Sequence, residues 1–358
     1  PLPAPAFPKS DIDRVIRSLV DAHGGDSAPD MGLDALEAVL SSAFTARFSS
    51  SLTFGVVGQE ELLRPLLRKR GIEEQVSLVP STDVVEMCDS PSHALRRKKD
   101  SAIHVGARMV RFGFWDALVS AGNTGALMAI SKVILKTLPG IDRPAIASMI
   151  PAVDDGCTLM LDAGANSECT SDHLIQFAIM GSCYMQATEG LSEPRVGLLN
   201  IGSEDIKGTD VIKLTSSKLS ETDLNYIGNV EGTDLFGNDV DVVVCDGFVG
   251  NVALKTSEGL AKMISHFMKE EFSRNVFTRI MGLATMPVLR AFRKKIDPRR
   301  YNGASLVGLR GIVIKSHGGA DKLAFANAIE IAMIEVDKAV PQKISSQLES
   351  ILMEKQAS

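Results

Sequence analysis

The 358-residue sequence has few cysteines, and they form no pattern typical of a disulfide framework or a zinc site. The five cysteines, at positions 88, 157, 169, 183 and 245, are odd in number and contain no Cys-x-x-Cys pair. No histidine stands at metal-ligand spacing from any of them. Such residues are typical of buried thiols in a reducing compartment, so we expect neither disulfides nor a bound metal.

Long apolar runs are also absent. No stretch of about 18 apolar residues occurs, which is the length that a membrane-spanning helix needs. The first ten residues lack the apolar run and the cleavage site of a signal peptide. We therefore expect a cytoplasmic protein that does not span a membrane, with residues 1–10 as a Pro-rich tail. The net charge of -6 argues against nucleic acid as a partner.

Three familiar catalytic or nucleotide-binding motifs are missing. Gly202 and Gly208 are separated by five residues, but Lys207 precedes the second glycine, so this loop is not a Walker A motif. No Gly-x-Gly-x-x-Gly opens a helix after the first strand candidate, as the usual dinucleotide fold requires. No serine stands in a Gly-x-Ser-x-Gly elbow.

A repeated order of apolar run, glycine-rich turn and helix-like segment fills most of the chain. The runs are short, unbroken and rich in β-branched residues, which is typical of strands buried on both faces. Alternation of strands with helices predicts one α/β domain over residues 11–358, with a mainly parallel sheet covered on both sides. The predicted strands are Ser18–Ala22, Leu52–Val57, Ala117–Ser120, Thr158–Leu161, Val196–Ile201, Val242–Cys245 and Gly311–Ile314.

Residues 251–297 interrupt this order, because they contain a helical pattern and no strand candidate. Gly282 and Pro287 near the middle predict a turn between two helices, since proline cannot continue the helical hydrogen bonds. The segment 255–300 has eleven Lys and Arg and four Asp and Glu, a charge of +7. We expect a basic helical hairpin on an acidic body.

Seven turns after predicted strands share one composition, in which glycine stands beside Asn, Asp, Ser, Thr or His. In parallel sheets ligands bind beyond the carboxyl ends of the strands, where helix N-termini and turn amides favour anions. We therefore expect these turns to meet at one edge of the sheet and to bind a phosphate-like ligand. The candidate binding residues are Gly24, Gly25, Asp26, Asn123, Thr124, Gly125, Asp162, Asn166, Gly247, Gly250, Asn251 and His317.

Lys207 and Asp246 are the candidate catalytic residues, because a lysine can neutralise a bound anion and an aspartate can orient it or accept a proton. The alternative is structural: Lys207 points to solvent and Asp246 caps the following helix. Asn123 and Thr124 either donate to an oxyanion or cap the helix that follows them, and Asp162 and Asn166 allow the same two interpretations. His317 and His23 are either catalytic bases or hydrogen-bonded loop residues.

The tip of the predicted hairpin, residues 276–292, is apolar and is followed by basic residues. This composition is typical of a segment that rests in a lipid interface, although a helix pair at a dimer interface explains it equally. The candidate membrane-binding residues are Ile280, Met281, Leu283, Met286 and Leu289. The basic run 96–99 is either a docking site for an acidic protein or a solvated helix end.

At its turns the sequence resembles the bacterial phosphate acyltransferase family, PlsX, over about residues 15–340. The resemblance rests on long blocks in the family's order, with local departures such as His23 in place of Met and Asn302-Gly303 in place of Gly-Gly. The blocks include DAHGGDSAP, RRKKDS, SAGNTGALM, GIDRPA, LDAGAN, QFAIMGS, RVGLLNIGSEDIKG, DVVVCDGFVGNVALKTSEG and GASLVGL.

This resemblance implies transfer of a fatty acyl group from acyl carrier protein to inorganic phosphate, without a metal or organic cofactor. It also implies a three-layer α/β/α fold similar to isocitrate and isopropylmalate dehydrogenases and to phosphotransacetylase, usually as a homodimer. Peripheral membrane contact and delivery of the product to a glycerol-3-phosphate acyltransferase are implied as well. Two competing hypotheses are a metal- and NAD-dependent decarboxylating dehydrogenase, for which neither clustered metal-binding aspartates nor a nucleotide pocket is evident, and a non-catalytic membrane scaffold.

Overall fold

In a computed structural model the chain forms one eleven-stranded sheet with helices on both faces. The structure describes residues 15–41 and 45–357, so the Pro-rich tail expected at 1–10 lies outside the described residues. The strands are β1 Val15–Asp21, β2 Ser51–Gly58, β3 Val76–Pro80, β4 Ala117–Ser120, β5 Ala145–Pro151, β6 Cys157–Leu161, β7 Val196–Leu199, β8 Tyr226–Val230, β9 Val242–Val244, β10 Ala304–Val307 and β11 Ile312–Lys315.

The helices account for most of the remaining chain. They are α1 Asp30–Leu40, α2 Glu60–Arg70, α3 Pro91–Arg97, α4 Ala102–Arg111, α5 Thr124–Leu135, α6 Ser171–Thr188, α7 Asp210–Leu219, α8 Gly247–Ser273, α9 Val276–Ala284, α10 Met286–Ile296, α11 Lys322–Asp337 and α12 Val340–Ala357.

Unbroken apolar strands bury both of their faces. In β11, Ile312 and Ile314 pack into a core formed with α1 and α11, whereas Val313 packs into a second core formed with α4 and α5. Successive side chains of a strand point to opposite faces, so an unbroken apolar run needs a helical layer on each side. The predicted α/β class, with a mainly parallel sheet between two helical layers, is confirmed.

Four strands were not predicted: β3, β5, β8 and β10. The edge strands β3 and β8 have five residues each, and Ser77 in β3 and Gly228 with Asn229 in β8 interrupt their apolar residues. The central strands β5 and β10 include Ser148 and Ser305, which interrupt the apolar run although both side chains are buried. A search for unbroken apolar runs therefore misses strands both at the edges and at the centre of the sheet.

The strand direction reverses in the middle of the sheet. The order is β3-β2-β1-β4-β11-β10-β5-β6-β9-β7-β8, and the pairs β11–β10, β10–β5 and β5–β6 are antiparallel while the other pairs are parallel. Three antiparallel steps make the second half run opposite to the first. The turns after β1, β4 and β11 therefore lie at one edge of the sheet, meaning the line along which strands end, and those after β6, β7 and β9 lie at the opposite line of strand ends. The expectation that all the turns meet at one edge is wrong.

The segment expected to form a helical hairpin contains three helices, because a further break separates α8 from α9. Asn275 begins α9 with a reciprocal cap, in which its Oδ1 accepts from the backbone N–H of Thr278 at 2.9 Å. The next break falls at Thr285, where Pro287 stands in the first turn of α10. Gly282 does not form the turn but lies inside α9, buried where a Cβ would contact Phe272 of α8. Among the described residues, every helix is too short or too polar to cross a bilayer.

Candidate functional site

The turn after β6 is organised by one carboxylate. Asp162 is fully buried, and its Oδ1 accepts from the backbone N–H groups of Ile146, Gly164 and Ala165 at 2.9–3.0 Å. Its Oδ2 accepts from the backbone N–H and the side-chain amide of Asn166 at 2.6 and 2.8 Å. Burial raises the pKa of Asp162, against the opposite effect of these bonds. Both oxygens are thus engaged within the protein, so Asp162 and Asn166 shape the turn.

Helix α8 begins against this turn. The Gly247 N–H donates to the Asn166 carbonyl at 2.7 Å, and a Cβ at Gly250 would lie 2.0 Å from the Asp162 carbonyl oxygen. The Asp246 Oδ1 accepts from the Val249 N–H at 2.9 Å and thereby caps the helix. Glycine at 247 and 250 therefore allows a close approach that a side chain would prevent.

At the opposite edge, the turns after β1, β4 and β11 pack together. The buried Asp21 accepts from the Ser120 hydroxyl at 2.6 Å. A Cβ at Gly24 would lie 2.5 Å from the backbone nitrogen of Gly122, and Gly25 has a φ of +99°. The Asp26 N–H donates to the Gly318 carbonyl at 2.9 Å. These contacts bring three of the predicted glycine-rich turns to one place.

Asn123 caps α5 and also holds a neighbouring segment. Its Oδ1 accepts from the Ala126 N–H at 3.0 Å, and its Nδ2 donates to the carbonyls of Glu86, Met87 and Asp89 at 2.9–3.3 Å. Thr124 is the first residue of α5. At Gly125 a Cβ would lie 2.8 Å from Pro91, so α3 approaches closely there.

A cavity of about 870 Å³ lies between α8 and the central strands, within the usual size of ligand pockets. It receives residues from both edges of the sheet, since Thr124 and His317 follow β4 and β11 whereas Gly164 follows β6. Of the predicted binding residues, Asp26, Thr124, Asn251 and His317 line it. The other candidates, among them Lys207 and Asp246, do not appear in its lining.

Lys315 is a cavity residue that the sequence analysis did not select. It ends β11, is 9% exposed, and its Nζ donates to the Ser316 carbonyl. Burial lowers the pKa of Lys315 to about 8, while the charges of Asp21 and Asp26 act in the opposite direction. Lys255 of α8 lines the same cavity and pairs with Glu258 at 2.9 Å. The sequence signal for Lys315 was its position, as a lysine at the carboxyl end of an apolar strand.

Asn302, one of the departures from the family pattern, fixes the loop that follows Lys315. Its Nδ2 donates to the Ser316 hydroxyl at 2.7 Å and to the Ala324 carbonyl at 2.8 Å, and its Oδ1 accepts from the His317 N–H at 3.0 Å. The His317 Nδ1 accepts from the Gly319 N–H at 3.0 Å. Burial, followed by the charge of Lys255, lowers the pKa of His317. His317 is therefore neutral near pH 7 and already hydrogen-bonded on one nitrogen.

Lys207 lies at the other edge, on the turn after β7. Its side chain is exposed, and its carbonyl accepts from the Asn200 side chain at 3.2 Å. His23 is a loop histidine, and its Nε2 accepts from the Gln59 N–H at 2.8 Å. Cys245 is buried with a pKa raised well above its usual value by desolvation, as expected for a packed thiol.

The cavity changes character along its length. Near β11 it is lined by Lys315, Lys255, His317 and Asn302, together with the carboxylates of Asp26 and Glu258, whereas other parts are mainly apolar. The apolar residues come from β5 and its turn, from α8 and from α10. They include Ile146, Ile150, Pro151, Val153, Leu254, Leu260, Ala261, Ile264 and Phe292. One cavity thus combines an end that holds two lysines, called here the cationic end, with an apolar arm.

Comparison with known proteins identifies the family. The family described as "Fatty acid synthesis protein" matches residues 16–343. A protein named phosphate acyltransferase from Alkalilimnicola ehrlichii is 53% identical, covering 94% of this chain and 97% of its own length. One of the same name from Methylococcus capsulatus is 53% identical, covering 93% and 96%. The chain belongs to the phosphate acyltransferase family.

Two solved structures have folds similar to that of this chain. EutD phosphotransacetylase from Staphylococcus aureus aligns with a TM-score of 0.57 at 19% identity, covering 90% of this chain and 94% of its own. A branched-chain phosphotransacylase from Enterococcus faecalis aligns with a TM-score of 0.56 at 14% identity, covering 90% and 99%. This chain therefore has a phosphotransacetylase-like fold.

The close approach of α8 to the Asp162 turn makes a testable prediction. Gly250→Ala should destabilise the protein by roughly 1–3 kcal/mol, because the new methyl group meets a backbone oxygen that cannot move alone. The matched control is Gly259→Ala on the same helix, where a Cβ meets nothing within 4 Å. This control should gain roughly 0.5–1 kcal/mol from helix propensity. Thermal or urea unfolding of both variants measures the difference, and equal stabilities would contradict the contact.

Proposed function

We propose that this protein transfers a fatty acyl group from the thioester of acyl carrier protein to inorganic phosphate, giving acyl phosphate and the free carrier thiol. The observation that supports this proposal best is the single cavity with a cationic end and an apolar arm. The reaction joins an anion to a fatty chain, so it needs both environments side by side. The names of the relatives, phosphate acyltransferase, point to the same chemistry.

The phosphate is proposed to bind at the cationic end. Lys315 and Lys255 supply positive charge from two different elements, β11 and α8. Charge-assisted hydrogen bonds from lysine to phosphate are stronger than neutral ones, and partial burial strengthens them further. Asn302 fixes the loop that carries Ser316 and His317. The anion thus meets groups that are already held in place, which lowers the entropic cost of positioning it.

In the proposed step, a phosphate oxygen attacks the thioester carbonyl carbon. The new carbon–oxygen bond forms, the carbon–sulfur bond breaks, and the phosphate proton passes to the departing thiolate. Hydrogen phosphate and thioester thereby give acyl phosphate and thiol, and no oxidant or metal enters the balance. Positioning the two reactants together can supply roughly 7–11 kcal/mol of the barrier reduction.

Carrier protein is proposed to dock near the basic run 96–99. Arg96, Arg97 and Lys99 are exposed, while Lys98 pairs with Asp89 at 2.6 Å. Asp89 belongs to the segment 86–89, whose carbonyls accept from the Asn123 side chain, and Met87 of that segment lines the cavity. A basic surface beside the cavity fits an acidic partner, with steering that weakens as salt rises.

The direct test uses purified protein, acyl carrier protein loaded with palmitate, and inorganic phosphate. We expect thiol release that depends on phosphate, together with an acyl phosphate that hydroxylamine traps as a hydroxamate. A thiol that appears equally without phosphate would indicate simple hydrolysis. No phosphate-dependent release would reject the proposed function and favour a non-catalytic scaffold.

Lys315→Met should raise the KM for phosphate about 10–100-fold, because a charge-assisted contact to the anion is lost. Burial lowers the pKa of Lys315 to about 8, so the lysine is charged below that pH and loses its charge above it. The wild-type KM for phosphate should therefore rise above about pH 8, and the variant should lack this rise. Steady-state kinetics across pH measure both effects.

Lys322→Met is the control for this experiment. Lys322 begins α11 at the end of the same loop but is 51% exposed and does not line the cavity. Its KM for phosphate should equal that of the wild type at every pH. If Lys315→Met also keeps the wild-type KM, the phosphate does not bind at the cationic end.

The catalytic roles of Lys207 and Asp246 stay predictions, and the structure sharpens their test. Asparagine caps helices about as well as aspartate, so Asp246→Asn should keep the start of α8 intact. If Asp246 also acts in the chemistry, this variant should lower kcat by orders of magnitude with unchanged thermal stability. If Lys207 acts in the chemistry, Lys207→Ala should likewise lower kcat by orders of magnitude with unchanged thermal stability. Near wild-type kcat in either variant would reduce that residue to its structural role.

The excursion formed by α8, α9 and α10 is proposed to contact the membrane from one side. Ile280, Met281 and Leu283 are 58%, 45% and 70% exposed, whereas Met286 and Leu289 are half-buried. Val288 in α10 is also 70% exposed. Exposed apolar side chains beside basic residues suit a lipid interface. A membrane position would pass the acyl phosphate to a membrane-embedded glycerol-3-phosphate acyltransferase, and a homodimer through the same helices is the alternative use of this surface.

Leu283→Asp should weaken binding to anionic liposomes at least about tenfold, because it places a charge where an apolar side chain would enter the lipid. Flotation with vesicles of phosphatidylglycerol and phosphatidylethanolamine measures binding. Phe114→Asp is the control, since Phe114 is 63% exposed but lies outside the excursion. Unchanged liposome binding together with a shift from dimer to monomer in analytical ultracentrifugation would instead assign the surface to a dimer.

A further inference from the structure

One face of α8 lines the cavity along several helical turns. The lining positions 251, 254, 255, 258, 261 and 264 recur at the three- and four-residue steps that place residues on one helix face, and 257 and 260 lie beside them. The residues on this face are Asn251, Leu254, Lys255, Glu258, Ala261 and Ile264, and the two beside it are Ser257 and Leu260. The cavity therefore follows the helix axis and has the helix as its long wall.

The wall is mixed over its first two turns, where Leu254 lies among polar residues, and loses its polar side chains after Glu258. Asn251 and Lys255 are polar, and Lys255 affects the titration of Lys315 and His317 at the cationic end. Beyond Glu258 the wall becomes apolar, at Ala261 and Ile264. The helix thus leads from the anion toward a region suited to a hydrocarbon chain.

The length of this wall matches a fatty chain. From Asn251 to Ile264 the helix advances thirteen residues, or roughly 20 Å at the usual rise per residue. A fatty chain in one leaflet of a bilayer spans about 15 Å, half of the hydrocarbon core. A long acyl chain can therefore extend beside α8 from the cationic end to the region of Ile264.

The apolar arm has a defined wall opposite α8. Pro151 at the end of β5 and Val153 in the turn between β5 and β6 line it, and Phe292 lines it from α10. Lys295 of α10 pairs with Asp155 of this turn at 2.9 Å. Asp154 and Asp155 both have a φ of +57°, an uncommon conformation for non-glycine residues that holds the turn in a specific shape. Two separate elements are thus joined around the apolar arm.

We infer that α8 measures the length of the acyl chain, with Ala261 and Ile264 as the specificity-determining positions. This inference rests on the proposed function, because it assigns the apolar arm to the acyl group. Ala261 is half-buried and has the smallest side chain on the apolar part of the wall. Its methyl group leaves room for the chain to continue toward Ile264. A larger side chain at 261 would stop long chains one helical turn earlier.

The test is a chain-length series of acyl carrier protein, from octanoyl to stearoyl, with Ala261→Phe. The ratio of kcat/KM for palmitoyl to that for octanoyl should fall at least about tenfold, since the ring occupies space that only the longer chain needs. Met263→Phe is the matched control, because Met263 is 47% exposed on the same helix and does not line the cavity. Its ratio should equal that of the wild type.

The outcomes separate this inference from the proposed function. An unchanged ratio in Ala261→Phe, in an enzyme that still releases thiol with phosphate, would overturn the role of α8 and leave the function intact. If the wild type releases no thiol with any chain, the proposed function fails. In that case, competition of octanoate and stearate against a fluorescent fatty acid measures the dependence of binding on chain length without turnover. An equal loss of affinity for both fatty acids in Ala261→Phe would reject the role of α8.

Discussion

The buried carboxylate of Asp162 is the contact on which the cavity depends. A desolvated charge is costly unless hydrogen bonds replace its water, and here five donors from residues 146–166 do so. These bonds connect the start of β5 to the turn after β6. The same turn receives the N-terminus of α8 through Gly247 and Gly250. Because α8 is the long wall of the cavity, the direction of that wall is set where Asp162 is buried.

The reversal of strand direction determines what this wall faces. In an all-parallel sheet, the turns after β4 and after β6 would lie at the same edge. The antiparallel strands β10 and β5 instead place them at opposite edges. Helix α8 starts at the second edge, and its residue Lys255 reaches the cationic end near Lys315, which belongs to the first. The cavity can therefore be long, since it extends across the sheet instead of lying along one edge.

Local sequence patterns were sufficient for part of this structure. Apolar runs such as Ala117–Ser120 predict buried strands, and capping of a helix by Asn123 and by Asp246 is one of the two interpretations that the sequence allows for each residue. The reversal was not predictable in this way, because it depends on pairing between β5 and β10, which lie far apart in the chain. For the same reason a list of turns could not separate Asp26 and His317, which line the cavity, from Asn166, which supports it.

Lys315 shows a different limit of sequence analysis. In the sequence Lys315 directly follows the predicted strand Gly311–Ile314, and this position alone does not show where its side chain lies. Only the position of β11 beside the short strands β10 and β4 shows that its side chain lies in a cavity and not in solvent. Desolvation then lowers its pKa to about 8. A lysine in this state gains much from a bound anion, because the anion both pairs with the charge and replaces the lost water.

The position of the helical excursion connects the proposed chemistry with the proposed membrane contact. Phe292 and Ile264 line the apolar arm, while Leu283 and Val288 in the same excursion are exposed on its surface. A fatty chain that leaves the arm past Phe292 would therefore emerge beside the apolar surface of α9 and α10. On a bilayer, this arrangement would let the chain pass from protein to lipid with little exposure to water, saving about 0.8 kcal/mol for each methylene kept buried. In this proposal α8 contacts the acyl chain of the substrate, while α9 and α10 contact the lipid that receives the product.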